Sequence, residues 1–307
     1  PEGVDGTDHR LPRRASVRRG GTRAAPGPLP VPPLLIPPGG LRIRPLGAPR
    51  PRGTRVRRMG RLSEPGEDGL LTYGDYLRVP ELLSLQVPRS SPPAHDEHLF
   101  IVVHQAYELW FKEILVDAER ARHYLRRVHE IERVLLEHIE VLETMTPQDF
   151  LAFRANLAPA SGFQSAQFRE IECLSGLKDP RFLADVETSP DERDWLARRL
   201  AEPTLWDAFV AFLGARGLPM PADDPDTRRA SLLRMAREPA FVDAFALAEA
   251  LLDHDEAFAL WRYRHLLMVE REIGAKRGTG GSSGVGYLRT TLGKRFFPEL
   301  WDLRSHL

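Results

Sequence analysis

The sequence predicts an all-α domain in which long helices form a bundle-like core. From Tyr73 onward, apolar residues recur at spacings of three and four, which is the pattern of amphipathic helices. Alternating apolar and polar runs, which would indicate strands, are nearly absent, and no internal repeat occurs. The 307 residues suffice for one large domain or two small ones.

Each long helix is predicted from its own apolar repeat. The repeat runs through 97–127 and again through 129–144. Thr146 predicts the next helix start, because it precedes a proline and Asp149 lies in the first turn. The last long helix is predicted for 240–274. Loops rich in glycine, proline and polar residues are predicted at 157–164, 215–228 and 274–286.

Residues 1–58 differ from the rest of the chain in composition. They hold thirteen arginines, no lysine and three acidic residues, and they include a proline-rich run typical of polyproline. This composition predicts a disordered extension, which we interpret as a start-site or cloning artefact because Met59 opens a plausible start. A basic nucleic-acid-binding tail and a transit peptide are the alternatives. The helical domain is predicted for 59–307.

The remaining composition excludes several classes of site. Cys173 is the single cysteine, which excludes an intrachain disulfide, a cysteine-based zinc site and an iron–sulfur cluster, and which fits a reducing cytoplasm. No CxxCH motif occurs, so any haem would be held non-covalently. No apolar run reaches the roughly 18 residues that predict a membrane span. Beyond residue 58, acids outnumber bases by ten, which gives no support for nucleic acid as the main partner.

Two clusters contain side chains that could bind a metal without haem. They are His95 with His98, and the acidic run 253–256 around His254. No HExxH motif occurs, and no histidine has a glutamate three residues before it, as di-iron bundles require. We therefore interpret both clusters as solvated helix ends.

His265 near the end of the last predicted helix is the first candidate for chemistry. A lone helical histidine is usually a surface or a satisfied core residue, but a buried imidazole can also bind a metal or haem. A loop with the sequence GTGGSSGVGY follows at 278–287. It matches neither the Walker nor the Rossmann pattern, so a flexible connection is the simplest interpretation.

Two pairs of residues four apart place an aromatic ring beside a polar side chain. Phe100 and His104 share one helix face, and so do Phe150 and Arg154. From position alone, the first pair fits core packing, and Arg154 fits an exposed side chain. A ligand pocket with a carboxylate clamp is the functional alternative.

Four blocks resemble, in order, the haem-dependent tryptophan 2,3-dioxygenase family: LTYGDYL at 71–77, HDEHLFIVVHQ at 95–105, PASGFQS at 159–165, and 261–289. The resemblance implies an all-helical haem dioxygenase domain. It also implies cleavage of the indole C2–C3 bond of L-tryptophan by O₂. The product would be N-formyl-L-kynurenine, in the first step of the kynurenine pathway. The resemblance further implies a homotetramer, and the single cysteine predicts a cytoplasmic location.

The resemblance also implies residue roles. His265 matches the proximal ligand of non-covalent haem b, which is ferrous when active. Phe100 would pack on the indole, and His104 would accept a hydrogen bond from the indole N–H, orienting it rather than serving as an obligatory base. Arg154 would bind the substrate carboxylate. Thr279 would bind the ammonium group together with a haem propionate.

The other matching positions complete the implied pocket. Ser161 and Gly162 match the loop over the distal haem face, and Phe150 falls where the family carries Phe or Tyr. Three residues match positions that reach the pocket from a neighbouring subunit: Tyr73, Tyr76 and Leu77.

Three other functions remain open at this point. The first is a related haem oxygenase that acts on another indole substrate. The second is a haem-binding or purely helical scaffold without catalysis. The third is a nucleic-acid-associated protein that acts through the arginine-rich extension.

Overall fold

The computed structural model describes residues 72–118, 125–185 and 190–307, and within these ranges every regular element is helical. The predicted extension at 1–58 lies outside the described residues. Thirteen α-helices occur in the described ranges, in this order: α1 Tyr73–Leu77, α2 Val79–Leu82, α3 His95–Ala118, α4 Leu125–Leu142, α5 Pro147–Arg154, α6 Ala166–Ser175, α7 Phe182–Asp185, α8 Pro190–Ala201, α9 Leu205–Ala215, α10 Pro225–Arg237, α11 Val242–Ile273, α12 Val285–Thr291 and α13 Pro298–Leu303.

The core forms where the longest helices meet. Helix α4 packs against both α11 and α3, and α3 packs against α6. Their facing sides are apolar, and burying each Leu, Ile or Phe side chain contributes about 1.5–3 kcal/mol to stability. The most buried core side chains include Ile114, Val128, Leu135, Phe209, Leu213, Ala244, Phe258, Phe297 and Leu300.

The all-α prediction and the long helices are confirmed. The predicted segment 97–127 contains most of α3, and the other two long segments correspond to α4 and α11. The predicted start at Thr146 is also confirmed: its side chain caps the N–H of Asp149, whose carboxylate accepts from the Thr146 N–H. The loop predicted at 215–228 is shorter, because Asp224 caps a helix that begins at Pro225.

The interpretation of His254 and Asp255 as part of a solvated helix end is wrong. Both lie in the middle of α11, and their exposed fractions are 2% and 0%. His254 Nδ1 donates to Glu132 Oε1 at 2.5 Å, and His254 Nε2 lies 2.8 Å from Ser175 Oγ. Burial raises the pKa of Glu132, while His254 opposes that shift. These bonds compensate for removing the polar groups from water.

Asp255 joins α11 to the C-terminal part of the chain. Its Oδ2 atom accepts hydrogen bonds from the backbone N–H groups of Phe296 (2.9 Å) and Phe297 (3.0 Å). The indole N–H of Trp301 donates to the same oxygen at 2.8 Å. A single buried carboxylate therefore holds the start of α13 against the middle of α11.

The remaining members of the two ligand-rich clusters, His95, His98, Asp253 and Glu256, are exposed. No group of three or more His, Cys, Asp or Glu side chains that could hold a metal ion occurs within the described residues. In the same part of the chain, no helix is both long and apolar enough to cross a bilayer.

Replacing Glu132 by leucine should destabilise the protein by about 1–3 kcal/mol, because it leaves the buried His254 N–H without its acceptor. Chemical denaturation would measure the change in the free energy of unfolding. Glu137→Leu is the matched control: the same substitution on an exposed residue of the same helix, expected to change stability by about 0.5 kcal/mol or less. Equal effects of the two variants would contradict a stabilising role for the buried bond.

Candidate active site

A cavity of about 270 Å³ lies among α3, α5, α6, α11 and the loops that follow α5 and α11. Aromatic and aliphatic side chains form most of its wall, with a few polar groups, as is typical of small-molecule sites. Eight of the eleven predicted site residues line it: Phe100, His104, Phe150, Arg154, Ser161, Gly162, His265 and Thr279. The fold therefore brings together residues that are up to 179 positions apart.

Helix α11 presents the His265 imidazole to the cavity. The ring stacks on the indole of Trp261, with centroids 5.0 Å apart and planes 14° apart. Burial, with a further contribution from His104, lowers the pKa of His265 to about 4. The imidazole is therefore neutral near pH 7, and a nitrogen lone pair is available to a metal.

Helix α3 contributes a second neutral imidazole. His104 Nδ1–H donates to the backbone carbonyl of Phe100 at 2.7 Å, which leaves Nε2 as an acceptor. Desolvation by the surrounding protein lowers the pKa of His104, which favours the neutral form of this ring. The Phe100 ring stacks on the imidazole at 3.9 Å, and the Phe150 ring lies 5.9 Å from that of Phe100. The three rings form an aromatic wall that holds one hydrogen-bond acceptor.

Residues 274–284, the glycine-rich lid, pack against the loop that follows α5. Thr279 Oγ1 donates to the Ala160 carbonyl at 2.6 Å. A Cβ atom on Gly280 would lie 2.7 Å from Ser161 Cβ, so this close approach requires glycine. The predicted loop thus lies directly over the cavity.

Arg154 lies at the end of α5, beside the lid. One of its guanidinium N–H groups donates to the backbone carbonyl of Arg277. Within the described residues, no carboxylate forms an ion pair with Arg154, although its side chain lines the cavity. A planar guanidinium in this position can bind the carboxylate of a ligand.

Three buried charged residues of the cavity wall were not predicted from the sequence. Glu172 accepts from Arg169 Nη1 at 2.6 Å and from Arg262 Nη2 at 3.0 Å. Two guanidinium groups share one carboxylate, so this part of the wall has a net positive charge. The spacing of three between Arg169 and Glu172 was a visible signal, but Arg262 lies 90 residues further along the chain.

Glu272 is a further cavity residue that the sequence did not indicate. Its exposed fraction is 8%, and within the described residues neither carboxyl oxygen has a hydrogen-bond partner. Burial raises its pKa, and the neighbouring acids Glu143 and Asp149 add to the effect. Glu272 lies seven residues after His265 and hence on nearly the same helix face.

Tyr73, Tyr76 and Leu77 do not line this cavity. They belong to α1, and their exposed fractions are 78%, 72% and 44%. The structure therefore leaves a cluster of large apolar side chains on the surface near the start of the described chain.

The donor set at the cavity fits a haem better than a bare metal ion. The His265 imidazole is neutral and has no hydrogen-bond partner among the described residues, and the surrounding wall is apolar and aromatic. A bare ion would require several protein ligands, whereas porphyrin supplies four of its own. Cys173 cannot compete as a ligand, because it is buried away from the cavity and its pKa is raised to about 12.

Comparison with known proteins identifies similar chains. A family model described as tryptophan 2,3-dioxygenase matches residues 61–188 and 227–307, which include all eleven predicted site residues. The tryptophan 2,3-dioxygenase of a Nocardioides species is 53% identical over 262 residues, which is 79% of this chain and 97% of that protein. The enzyme of the same name from Herpetosiphon aurantiacus is 45% identical over 258 residues, covering 77% and 98%. That from Myxococcus xanthus is 43% identical over 263 residues, covering 78% and 90%.

Glu272→Gln should make the protein more stable than the wild type at neutral pH. Because the folded-state pKa of Glu272 is raised, the wild type loses stability as pH rises from the ordinary carboxyl value of about 4.3 through that raised pKa. Melting temperatures between pH 4 and pH 8 would measure the difference. Glu270→Gln, on an exposed residue two positions earlier, should follow the wild-type curve. A Glu272→Gln difference that is independent of pH would contradict the raised pKa.

Proposed function

The chain belongs to the tryptophan 2,3-dioxygenase family, and we propose that His265 binds haem b in the cavity of this enzyme. The enzyme is an oxidoreductase that cleaves the indole C2–C3 bond of L-tryptophan and places one atom of O₂ on each of the two carbons. The product is N-formyl-L-kynurenine. The observation that carries the haem proposal is one apolar cavity with two imidazole rings. The one from α11 is neutral and has no hydrogen-bond partner within the part of the chain that the structure describes, and the one from α3 is oriented as an acceptor.

When bound, the haem would supply the iron and oxygen chemistry that amino-acid side chains cannot provide. The protein's contribution is to bind the substrate, hold it in position and exclude water. His265 has the neutral state that binding of the haem iron would require, because burial lowers its pKa to about 4. Ser161 and Gly162 lie beside the lid and would enclose the distal side of the cavity.

The aromatic wall suits an indole. Phe100 and Phe150 present ring surfaces, and stacked or edge contacts with a third aromatic ring are favourable. His104 Nε2 is an acceptor, because Nδ1–H is already used by the Phe100 carbonyl. An indole N–H is only a donor, so it pairs with this nitrogen. His104 would thus orient the indole through this hydrogen bond and need not act as a base.

The polar groups near the lid suit the amino-acid end of the substrate. Arg154 can bind the carboxylate, and Thr279 can accept a hydrogen bond from the ammonium group. This arrangement favours a free amino acid over an indole without a carboxylate. It therefore favours L-tryptophan over the related haem oxygenase reaction on another indole.

We propose a homotetramer in which Tyr73, Tyr76 and Leu77 reach a neighbouring subunit's pocket. Their exposure on α1 supports this proposal, because large apolar side chains gain stability when a partner covers them. A cytoplasmic location is proposed on the single buried cysteine.

The direct test is to load the purified protein with haem, reduce it, and add L-tryptophan in air. The absorbance of N-formylkynurenine should rise only when haem, tryptophan and O₂ are all present. If haem bound but tryptophan gave no product, the assignment of L-tryptophan as the substrate would be wrong. If no haem bound, the assignment of haem as the cofactor would be wrong.

Arg154→Ala should weaken L-tryptophan binding by about 2–5 kcal/mol, because it removes the proposed partner of a desolvated carboxylate. Binding of tryptamine, which lacks the carboxylate, should change little, and so should the haem absorption spectrum. Calorimetric titration with both ligands would measure the difference. Arg271→Ala, on an exposed arginine at the end of α11, serves as the control. Unaltered tryptophan affinity in Arg154→Ala would remove this residue from the substrate site.

A further inference from the structure

We propose that Trp261 is a positioning residue that fixes the orientation of the His265 imidazole, and hence its plane relative to the porphyrin nitrogens. This inference rests on the proposed function, because it concerns His265 as the axial ligand. Trp261 lies one helical turn before His265, and both residues line the cavity. Their rings are nearly parallel, with an interplanar angle of 14° and a centroid distance of 5.0 Å.

The indole can orient the imidazole because two other helices hold it in place. The Phe168 ring from α6 packs on it at 5.3 Å, and the Tyr107 ring from α3 contacts it edge-on at 6.1 Å. Tyr107 is fixed in turn, since its hydroxyl donates to the Leu135 carbonyl of α4 at 2.7 Å. Burial raises the pKa of Tyr107 to about 12, so the hydroxyl keeps its proton and this bond at neutral pH. Helices α3 and α6 therefore hold the plane of the Trp261 indole, and α4 holds Tyr107 in place.

Among the described residues, the Trp261 indole is the aromatic ring that stacks on the His265 imidazole, so this contact can set the orientation of the imidazole. Metal-binding histidines are usually oriented by a hydrogen bond from their second ring nitrogen to a carboxylate, a carbonyl or water. Within the described residues, no side chain or backbone carbonyl hydrogen-bonds the His265 ring. The flat face of Trp261 restricts rotation about the histidine side-chain torsions, because turning the imidazole would break the parallel contact.

The orientation of the His265 imidazole is therefore set by its packing against Trp261. It is not set by a hydrogen bond to a carboxylate. A carboxylate partner would increase the electron donation of an imidazole, and a stacked indole does not. Trp261 would therefore fix the ligand plane while the imidazole stays neutral. Loss of the ring should free the imidazole to rotate without removing it from the iron.

The experiment compares holoenzyme variants by two readouts that report on the axial ligand. One is the iron–histidine stretching frequency in the ferrous protein, measured by resonance Raman spectroscopy. The other is the set of haem methyl proton shifts in the ferric cyanide complex, which depend on the imidazole plane. Trp261→Leu should change both and should release haem about 2- to 13-fold faster, the range expected for one lost aromatic pair. Trp261→Phe, which keeps a stacking ring, should stay close to the wild type.

Trp206→Leu is the matched control, because it removes an indole from the same core that contacts Phe209 and Phe297 instead of His265. It should leave both spectra unchanged. If Trp261→Leu does not fold, Trp261→Met carries the test, because a flexible side chain refills the space without a ring. Wild-type spectra in a ringless, haem-loaded variant would overturn the proposal. If His265→Ala retained the wild-type spectra, the axial assignment itself would be overturned, and the positioning role with it.

Discussion

The site depends on the register of α11, that is, on which of its residues face the neighbouring helices. The first half of this 32-residue helix fills the core, and the second half lines the cavity. Buried bonds fix its register: His254 pairs with Glu132 of α4, and Asp255 holds the chain at Phe296. His265 follows roughly 16 Å further along the helix. A shift of one residue at the buried bonds would turn His265 by about 100°, away from the cavity.

The charge state of the groups around the cavity depends on desolvation as well as on ion pairing. Desolvation lowers the pKa of both His104 and His265, which favours the neutral form of each ring. Arg169 and Arg262 stay charged in a buried position because they share the Glu172 carboxylate. A neutral region with two imidazole rings therefore lies beside a part of the cavity wall with net positive charge. Such fixed groups can act on a bound molecule without reorganising, which is the usual source of catalytic electrostatics.

The sequence predicted features that depend on local patterns or on whole motifs. Helical periodicity predicted α11, and the Thr146 cap predicted the start of α5. The resemblance of four blocks predicted which residues would meet at one cavity. Sequence alone failed where burial depends on distant partners. His254 sits in an acidic run that looks solvated, yet its partners lie 79 and 122 residues away. The unpaired Glu272 and the net positive wall depend in the same way on tertiary packing.

The contact between Arg154 and the lid carbonyl of Arg277 would make entry of the proposed substrate an exchange reaction. A substrate carboxylate that took this guanidinium donor, as proposed, would displace the neutral Arg277 carbonyl of the lid. The affinity gained is therefore the difference between two hydrogen bonds, and the lid loses one of its attachments as the ligand arrives. The hydrogen bond from Thr279 to the Ala160 carbonyl would then be the remaining side-chain attachment of the lid described above. The time that a ligand stays in the closed pocket would therefore depend on whether it carries a carboxylate, whatever its ring system.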